Sequence, residues 1–260
     1  MAEAMIKGIL NKGLIDASHL IASGPRPERG QVLQERYHLV TTTDNHQAAK
    51  QGQIVVLSVK PQILPQVLPE IDGAVQEEAL VLTIVAGAPF KMISEAIHHQ
   101  AIVRVMPNTP AMIGQGMSVW TATPEVPDVQ REWVRLILQA LGEEIYVKDE
   151  DYLDMATALS GTGPAYVFLF MEALIDAGVH LGFSRRVAQQ LVLQTMQGSV
   201  AFAKQSMTHP VELRNMVTSP GGTSAEALYQ LEKGGIRTVL SKAIWAAYQK
   251  SRYLGGLNNK

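Results

Sequence analysis

Ile54-Val-Val-Leu-Ser-Val59 and Leu80-Val-Leu-Thr-Ile-Val85 decide how this chain folds. Each is a short, near-continuous apolar run rich in branched residues, the pattern of a strand covered on both faces. Between them, Leu64–Glu70 carries apolar residues at helical spacing. Strand, helix, parallel strand is a βαβ unit, and the same alternation extends outward in both directions. Further strands are expected at His19–Ser23, Ile102–Met106, Met117–Ala122 and Glu144–Val147. Helices are expected at Glu28–Arg36, Asp44–Gln51, Phe90–His98 and Val129–Leu141.

From Asp149 onward the strand signal stops. Asp151–Ser160, Ala165–Leu181, Arg185–Lys204, Val211–Val217, Ser224–Glu232 and Ile236–Tyr253 read as helices, broken at Gly161-Thr-Gly-Pro164, Gly182-Phe-Ser184, His209-Pro210, Pro220-Gly-Gly222 and Gly234-Gly235. The expectation is an α/β nucleotide-type domain over 1–148 followed by an all-helical domain over 149–260.

Composition narrows the chemistry. The 260 residues hold 22 Lys+Arg against 24 Asp+Glu, a net charge of −2 that argues against a nucleic-acid partner. Cysteine is absent, which removes disulfides, Cys-ligated metals and a thiol nucleophile together. The seven histidines show no metal-ligand spacing, and no P-loop, G-x-S-x-G or H-E-x-x-H occurs, so no metal is expected. The most apolar stretches, Ala79–Phe90 and Ala165–Met171, fall short of the roughly eighteen residues a membrane helix needs. With no signal-peptide pattern at the start, the reading is a soluble, cytoplasmic protein without a membrane partner.

In a parallel sheet, ligands gather at the carboxyl ends of the strands. Three strands here run into turns of unusual composition: Lys60-Pro61, Ala86-Gly-Ala-Pro89 and Pro107-Asn-Thr-Pro110. Each alone reads first as turn punctuation; three at one end of a sheet point to a site. Ser23-Gly-Pro-Arg26 follows the first strand, where Arg or Ser suits the 2′-phosphate of a dinucleotide, and Arg29 is a second basic candidate beside a solvated reading for both. In the helical half, Val217-Thr-Ser-Pro-Gly-Gly-Thr-Ser-Ala-Glu226 leads two glycines and two hydroxyls into a helix. The first N–H groups of that helix lack internal partners and suit an anion; a capping box of Thr223 with Glu226 is the structural alternative, and the two are compatible. Gly161-Thr-Gly lies between helices rather than after a strand, so it reads as close packing, not a phosphate loop. His98-His99, Glu143-Glu144 and Asp149-Glu-Asp151 read as solvated ends and turns.

Leu57-Ser-Val-Lys-Pro61, Ala86-Gly87, Met106-Pro-Asn-Thr-Pro110, Leu159-Ser-Gly-Thr-Gly-Pro-Ala-Tyr166 and His209-Pro through Ser219-Pro-Gly-Gly-Thr-Ser224 stand in an order and spacing that resemble the pyrroline-5-carboxylate reductase family, over essentially the whole chain. The resemblance implies a Rossmann-type N-terminal domain, an all-α dimerisation domain, and NAD(P)H-dependent reduction of 1-pyrroline-5-carboxylate to L-proline, with NADPH as cofactor and NADH left open. It implies a homodimer through the C-terminal helices, with a higher ring such as a decamer left open. By the same resemblance Gly221, Gly222, Thr223 and Ser224 hold the substrate, with Ser224 and Thr223 as catalytic hydroxyls. Ser23, Arg26, Asn45, Ser58, Lys60, Ala86, Gly87, Asn108 and Thr109 line the cofactor cleft. At Ser224 the family usually carries Thr, so the hydroxyl is kept without the methyl.

The family opens with a strand and a glycine-rich turn ahead of its first helix, whereas this sequence starts at Met1-Ala-Glu-Ala-Met5, inside that helix. A truncated polypeptide, a mis-assigned start and a natural variant are all compatible with this. The expected consequence is a gap in the sheet between the strand at His19–Ser23 and the one at Ile54–Val59. Two other readings stay open: a related imine or β-hydroxyacid-type reductase, which would carry a Lys or Asp in the first long helix of its helical domain, and a dimer that has lost its cofactor site.

Overall fold

The computed structural model describes residues 1–256, which fall into two compact units. The first combines Met1–Pro164 with Ala246–Lys260, and the second is Ala165–Trp245. The division departs from a boundary at 148/149 because the end of the last helix returns to the α/β unit: the Ser251 hydroxyl donates to Asp154 Oδ1 at 2.5 Å, both residues being buried.

In the first unit, α1 (Ala2–Asn11) leads through a 3₁₀ turn to β1 (Ile21–Ser23), α2 (Pro27–Tyr37), β2 (Val40–Thr42), α3 (Asn45–Gln51) and β3 (Ile54–Leu57). Then follow α4 (Leu64–Ile71), β4 (Leu80–Thr83), α5 (Phe90–Ile97), β5 (Ile102–Met106), β6 (Gly116–Ala122), α6 (Asp128–Gln139) and β7 (Gly142–Tyr146). Local chemistry sets several boundaries: Pro27 opens α2, and the Asp44 carboxylate caps α3 by accepting from the Gln47 N–H at 3.0 Å.

Two sheets form, β1-β2 and β3-β4-β5-β6-β7. The break between β1 and β3 falls where the sequence places a gap. Strands β3, β4 and β5 are parallel, in the register Val81↔Ile102 and Leu82↔Val103, so their carboxyl ends share one edge. β6 returns antiparallel to β5, with β7 parallel to it, because the 3₁₀ segment Thr109–Ile113 is too short for a crossover. Each face of the sheet carries an apolar cluster. Leu57, Val81, Val85 and Ile102 pack with Ile93 and Ile97 of α5, while Leu80, Leu82, Val103 and Trp120 pack with Met5 of α1 and Val134 and Leu138 of α6.

Some expectations need correction. The first strand starts at Ile21, since His19 lies in the 3₁₀ turn Ala17–His19. β2 was not foreseen; its three residues give no alternation to read. β3 and β4 end two residues before the apolar runs do, and β7 spans Gly142–Tyr146. Gly161-Thr-Gly-Pro164 does not break the chain into separate helices. α7 (Tyr152–Ala156) continues through a π turn, Thr157–Gly161, into α8 (Gly163–His180). The resulting run, Tyr152–His180, has a window of mean hydropathy 1.4 and is long and apolar enough to cross a membrane by length and composition, which an assumed stop at Gly161 hides.

The second unit carries most of α8, then α9 (Arg185–Ser206), α10 (Pro210–Met216), α11 (Thr223–Lys233) and the first half of α12 (Ile236–Leu254). Ser184 caps α9 through the Val187 N–H. Within Ala165–Trp245 only Ala188 is buried, so these helices have no core of their own in a single chain.

The β6·β7 pairing depends on one glycine. Gly142 has φ +143 and sits opposite Gly116, and a Cβ on it would fall 2.5 Å from the Gly116 nitrogen. Gly142→Ala should therefore destabilise the α/β unit by about 1–3 kcal/mol. Thermal melting checks this, and an unchanged midpoint would refute the close approach.

Candidate functional site

The parallel register brings Ser58-Val-Lys60, Ala86–Pro89 and Pro107–Thr109 to one edge of the sheet. Lys60 is exposed, and its ammonium has no hydrogen-bond or ion-pair partner among the described residues. Asn108 is committed within the protein: its Oδ1 accepts from the Met117 N–H at 2.9 Å and its Nδ2 donates to the Ser160 carbonyl at 3.2 Å. It ties the turn after β5 to β6 and to the π turn, leaving the exposed Thr109 at the rim. Gly161 packs as expected, since a Cβ on it would sit 2.6 Å from Met106 Cε.

Gly87 has φ +68, and the backbone that approaches it belongs to this chain. A Cβ there would lie 2.9 Å from the Gly255 nitrogen and 3.0 Å from Leu254. The glycine therefore admits the end of α12. Phe90, the first residue of α5, donates its N–H to Glu150 Oε1 at 2.7 Å, and that oxygen also accepts from Arg104 of β5. The expectation that Asp149-Glu-Asp151 is a solvated turn fails at Glu150, because its partner Arg104 is buried in the sheet. Glu144 likewise accepts from the Trp120 indole, and His99 is buried with Nε2 2.7 Å from the Ala79 carbonyl.

At the β1 end, a depression of about 510 Å³ is lined by Ser23, Arg26, Arg29 and Thr41–Thr43 among others. The Ser23 hydroxyl donates to Asn45 Oδ1 at 2.7 Å, and Asn45 Nδ2 donates to Glu70 at 2.6 Å. The two basic candidates differ. Arg29 is engaged by Glu3, which also accepts from Arg36 at 2.6 Å and from the Tyr37 hydroxyl at 2.9 Å. The Arg26 guanidinium has no partner among the described residues, its carbonyl alone accepting from Arg29 and Gly30. A free guanidinium beside hydroxyls is the donor set a ribose phosphate requires, so the residues present fit the adenosine end of a phosphorylated dinucleotide.

In the second unit, α11 starts bare. Its N-cap is Gly222, which has no side chain, with Gly221 left-handed before it at φ +68. A Cβ on Gly222 would collide with Ser219 Oγ at 2.5 Å. The expected capping box does not form: Thr223 and Ser224 lie inside the first turn, and Glu226 accepts from Gln230 at 3.0 Å. No side chain satisfies the first N–H groups of α11, and the half-exposed Ser224 hydroxyl has no partner among the described residues.

Residues 1–87 match a family model described as NADP oxidoreductase, coenzyme F420-dependent, and residues 150–254 match one described as pyrroline-5-carboxylate reductase dimerisation. Fold and matches together define an oxidoreductase with a Rossmann-type domain and a helical dimerisation domain. A pyrroline-5-carboxylate reductase from Synechocystis sp. is 38% identical over 98% of this chain and 95% of its own, and one from Corynebacterium melassecola is 37% identical over the same shares. The crystal structure of Plasmodium falciparum pyrroline carboxylate reductase with NADP bound superposes with a TM-score of 0.89 at 35% identity, covering 97% of this chain and 94% of that one. The chain belongs to the pyrroline-5-carboxylate reductase family.

The Glu3 cluster yields a pH prediction. The hydrogen bond from Arg29, then that from Tyr37, holds the Glu3 carboxyl below its ordinary value of 4.5. A carboxylate with a depressed pKa contributes stability above the unfolded value, and that contribution is lost as pH falls through the folded one. Glu3→Gln should lower the melting temperature at pH 7 and narrow its difference from wild type as pH drops below about 4. A pH-independent difference would show that the cluster adds no ionic stability.

Proposed function

We propose that this chain catalyses NAD(P)H-dependent reduction of 1-pyrroline-5-carboxylate to L-proline. The observation that carries the reading is the bare first turn of α11, with an unpartnered hydroxyl at Ser224. The substrate is a cyclic imine bearing a carboxylate. N–H groups of Thr223, Ser224 and Ala225, at the positive end of the helix dipole, bind the carboxylate, and Gly221 and Gly222 allow it close approach. The Ser224 hydroxyl hydrogen-bonds the ring nitrogen and orients it, with Thr223 beside it. The hydride that ends on the imine carbon is the reduced nicotinamide's chemistry when the cofactor is bound, and the nitrogen takes up a proton. A protonated imine is already electrophilic, so positioning and electrostatics are what these residues add.

On the cofactor side, Arg26 faces the 2′-phosphate with Ser23, and Asn45 holds the ribose through its bond to Ser23. Ser58, Lys60, Ala86, Gly87 and Thr109 form the rim along the sheet edge, and Asn108 acts by fixing its turn. The same reading makes the chain a cytoplasmic homodimer joined through its C-terminal helices, extending to a ring such as a decamer. Its support is the exposure of Phe168, Leu169, Leu191, Phe202, Val239 and Trp245 in helices that bury little by themselves.

Ser224→Ala should lower kcat/KM for pyrroline-5-carboxylate by about 5- to 150-fold, the loss of a hydrogen bond worth roughly 1–3 kcal/mol, and leave NADPH affinity unchanged. Steady-state kinetics decide it; an unaltered kcat/KM removes Ser224 from the reaction. Arg26→Glu should narrow or reverse a preference for NADPH over NADH, because a carboxylate would then oppose the 2′-phosphate. An unchanged ratio of the two kcat/KM values would make Arg26 a surface residue.

A further inference from the structure

Thr83, Arg104 and Thr121 lie side by side across β4, β5 and β6, where the register pairs Thr83 with Arg104 and Arg104 with Thr121. All three are buried, and the other residues of β4 and β5 are apolar. An arginine in the middle of a sheet is costly to desolvate, and more so if its charge is left without a partner. Its partner is Glu150, whose side chain is 29% exposed and which stands just ahead of α7. The same Glu150 oxygen accepts the Phe90 N–H at 2.7 Å. Phe90 opens α5 and follows Ala86–Pro89, and the N-cap of α5 is Pro89, which has no side-chain acceptor to offer. Glu150 therefore caps α5 from 60 residues away, and Arg104 sets the direction of its carboxylate. On its other side the same turn is held by Leu254 and Gly255 against Gly87.

We propose that Arg104 and Glu150 are a positioning pair for hydride transfer. Buried Arg104 aims the Glu150 carboxylate at the Phe90 N–H, and that bond fixes the Ala86–Pro89 turn against which the nicotinamide rests. The inference rests on the functional reading above, which puts Ala86 and Gly87 on the cofactor rim, and it takes the nicotinamide to lie against that part of the rim. The pair touches neither substrate nor reacting atoms; it acts through the turn. A displacement of the turn by a fraction of an ångström would change the donor–acceptor geometry without abolishing cofactor binding, which is spread along the sheet edge.

Glu150→Leu alone strands a buried guanidinium and endangers the fold, so the decisive variant is the double replacement Arg104→Met/Glu150→Leu, which removes both charges together. The comparison is Glu150→Gln, which keeps an acceptor for Phe90. Three quantities are measured on the full chain: amide hydrogen exchange at Phe90 by NMR, kcat and KM with NADPH, and the primary deuterium isotope effect with nicotinamide deuterated at C4. The double variant should melt near wild type and exchange the Phe90 amide at least about tenfold faster. Its kcat should fall by about tenfold or more, with KM for NADPH little changed and a larger isotope effect. Glu150→Gln should stay within about threefold of wild type in each. Retained Phe90 protection in the double variant overturns the proposal, as does lost protection with unchanged kcat and isotope effect. The exchange measurement reads the anchor whether or not the chain reduces pyrroline-5-carboxylate, so failure of the anchor and failure of the functional reading are told apart.

Discussion

Parallel pairing of β4 on both of its sides is the constraint from which the α/β unit follows. Leu80, Val81 and Leu82 are fully buried, and the strand has a helical layer over each face. A strand so enclosed can satisfy its backbone only through its neighbours, so β3 and β5 must run beside it in register. Three strand ends are then forced to one edge, and the turns that follow them become neighbours whatever their composition. The chain uses that adjacency by giving those turns lysine, glycine, asparagine and threonine where an ordinary α/β protein needs only polar punctuation.

The helices of the second unit obey a different rule. They are apolar enough to need burial and too few to bury one another, with Ala188 the single buried residue between Ala165 and Trp245. Their stability is therefore tied to association, in keeping with the dimerisation family model matched over residues 150–254. The bare start of α11 stands in such a unit, where helix positions depend on what the apolar faces meet.

Strands β3 and β4 are legible because an apolar run of this length and branching has little other use, and α3 is legible as a helix, though Asp44 caps it rather than opening it. The turns holding the glycines at 87, 221 and 222 are legible as parts of a site, but not what approaches the glycines: at Gly87 it is the chain's own Leu254-Gly255. Three-residue β2 left no period to detect. The π turn at Thr157–Gly161 was hidden because Gly161-Thr-Gly-Pro164 carries every mark of a helix break, and Pro164 instead sits in the first turn of α8, where its missing N–H costs nothing. Arg104 and Glu150 were invisible for another reason. Charged residues belong in solvent by default, and nothing local joins two of them 46 positions apart. Glu226 was misread as a capping partner because spacing alone does not show that Gly222, not Thr223, is the N-cap.

The break between the two sheets bears on self-association as well as on fold. β1 and β3 each pair on one side only among the described residues, so the other side of each offers backbone donors and acceptors to any extended segment that reaches them. Neither Ile21–Ser23 nor Ile54–Leu57 carries a charge or a proline that would repel such a visitor. What guards the opening is brevity. Ladders of three and four residues limit how many backbone bonds such a visitor can form, which is one of the ways short edge strands are kept from pairing outside their own fold.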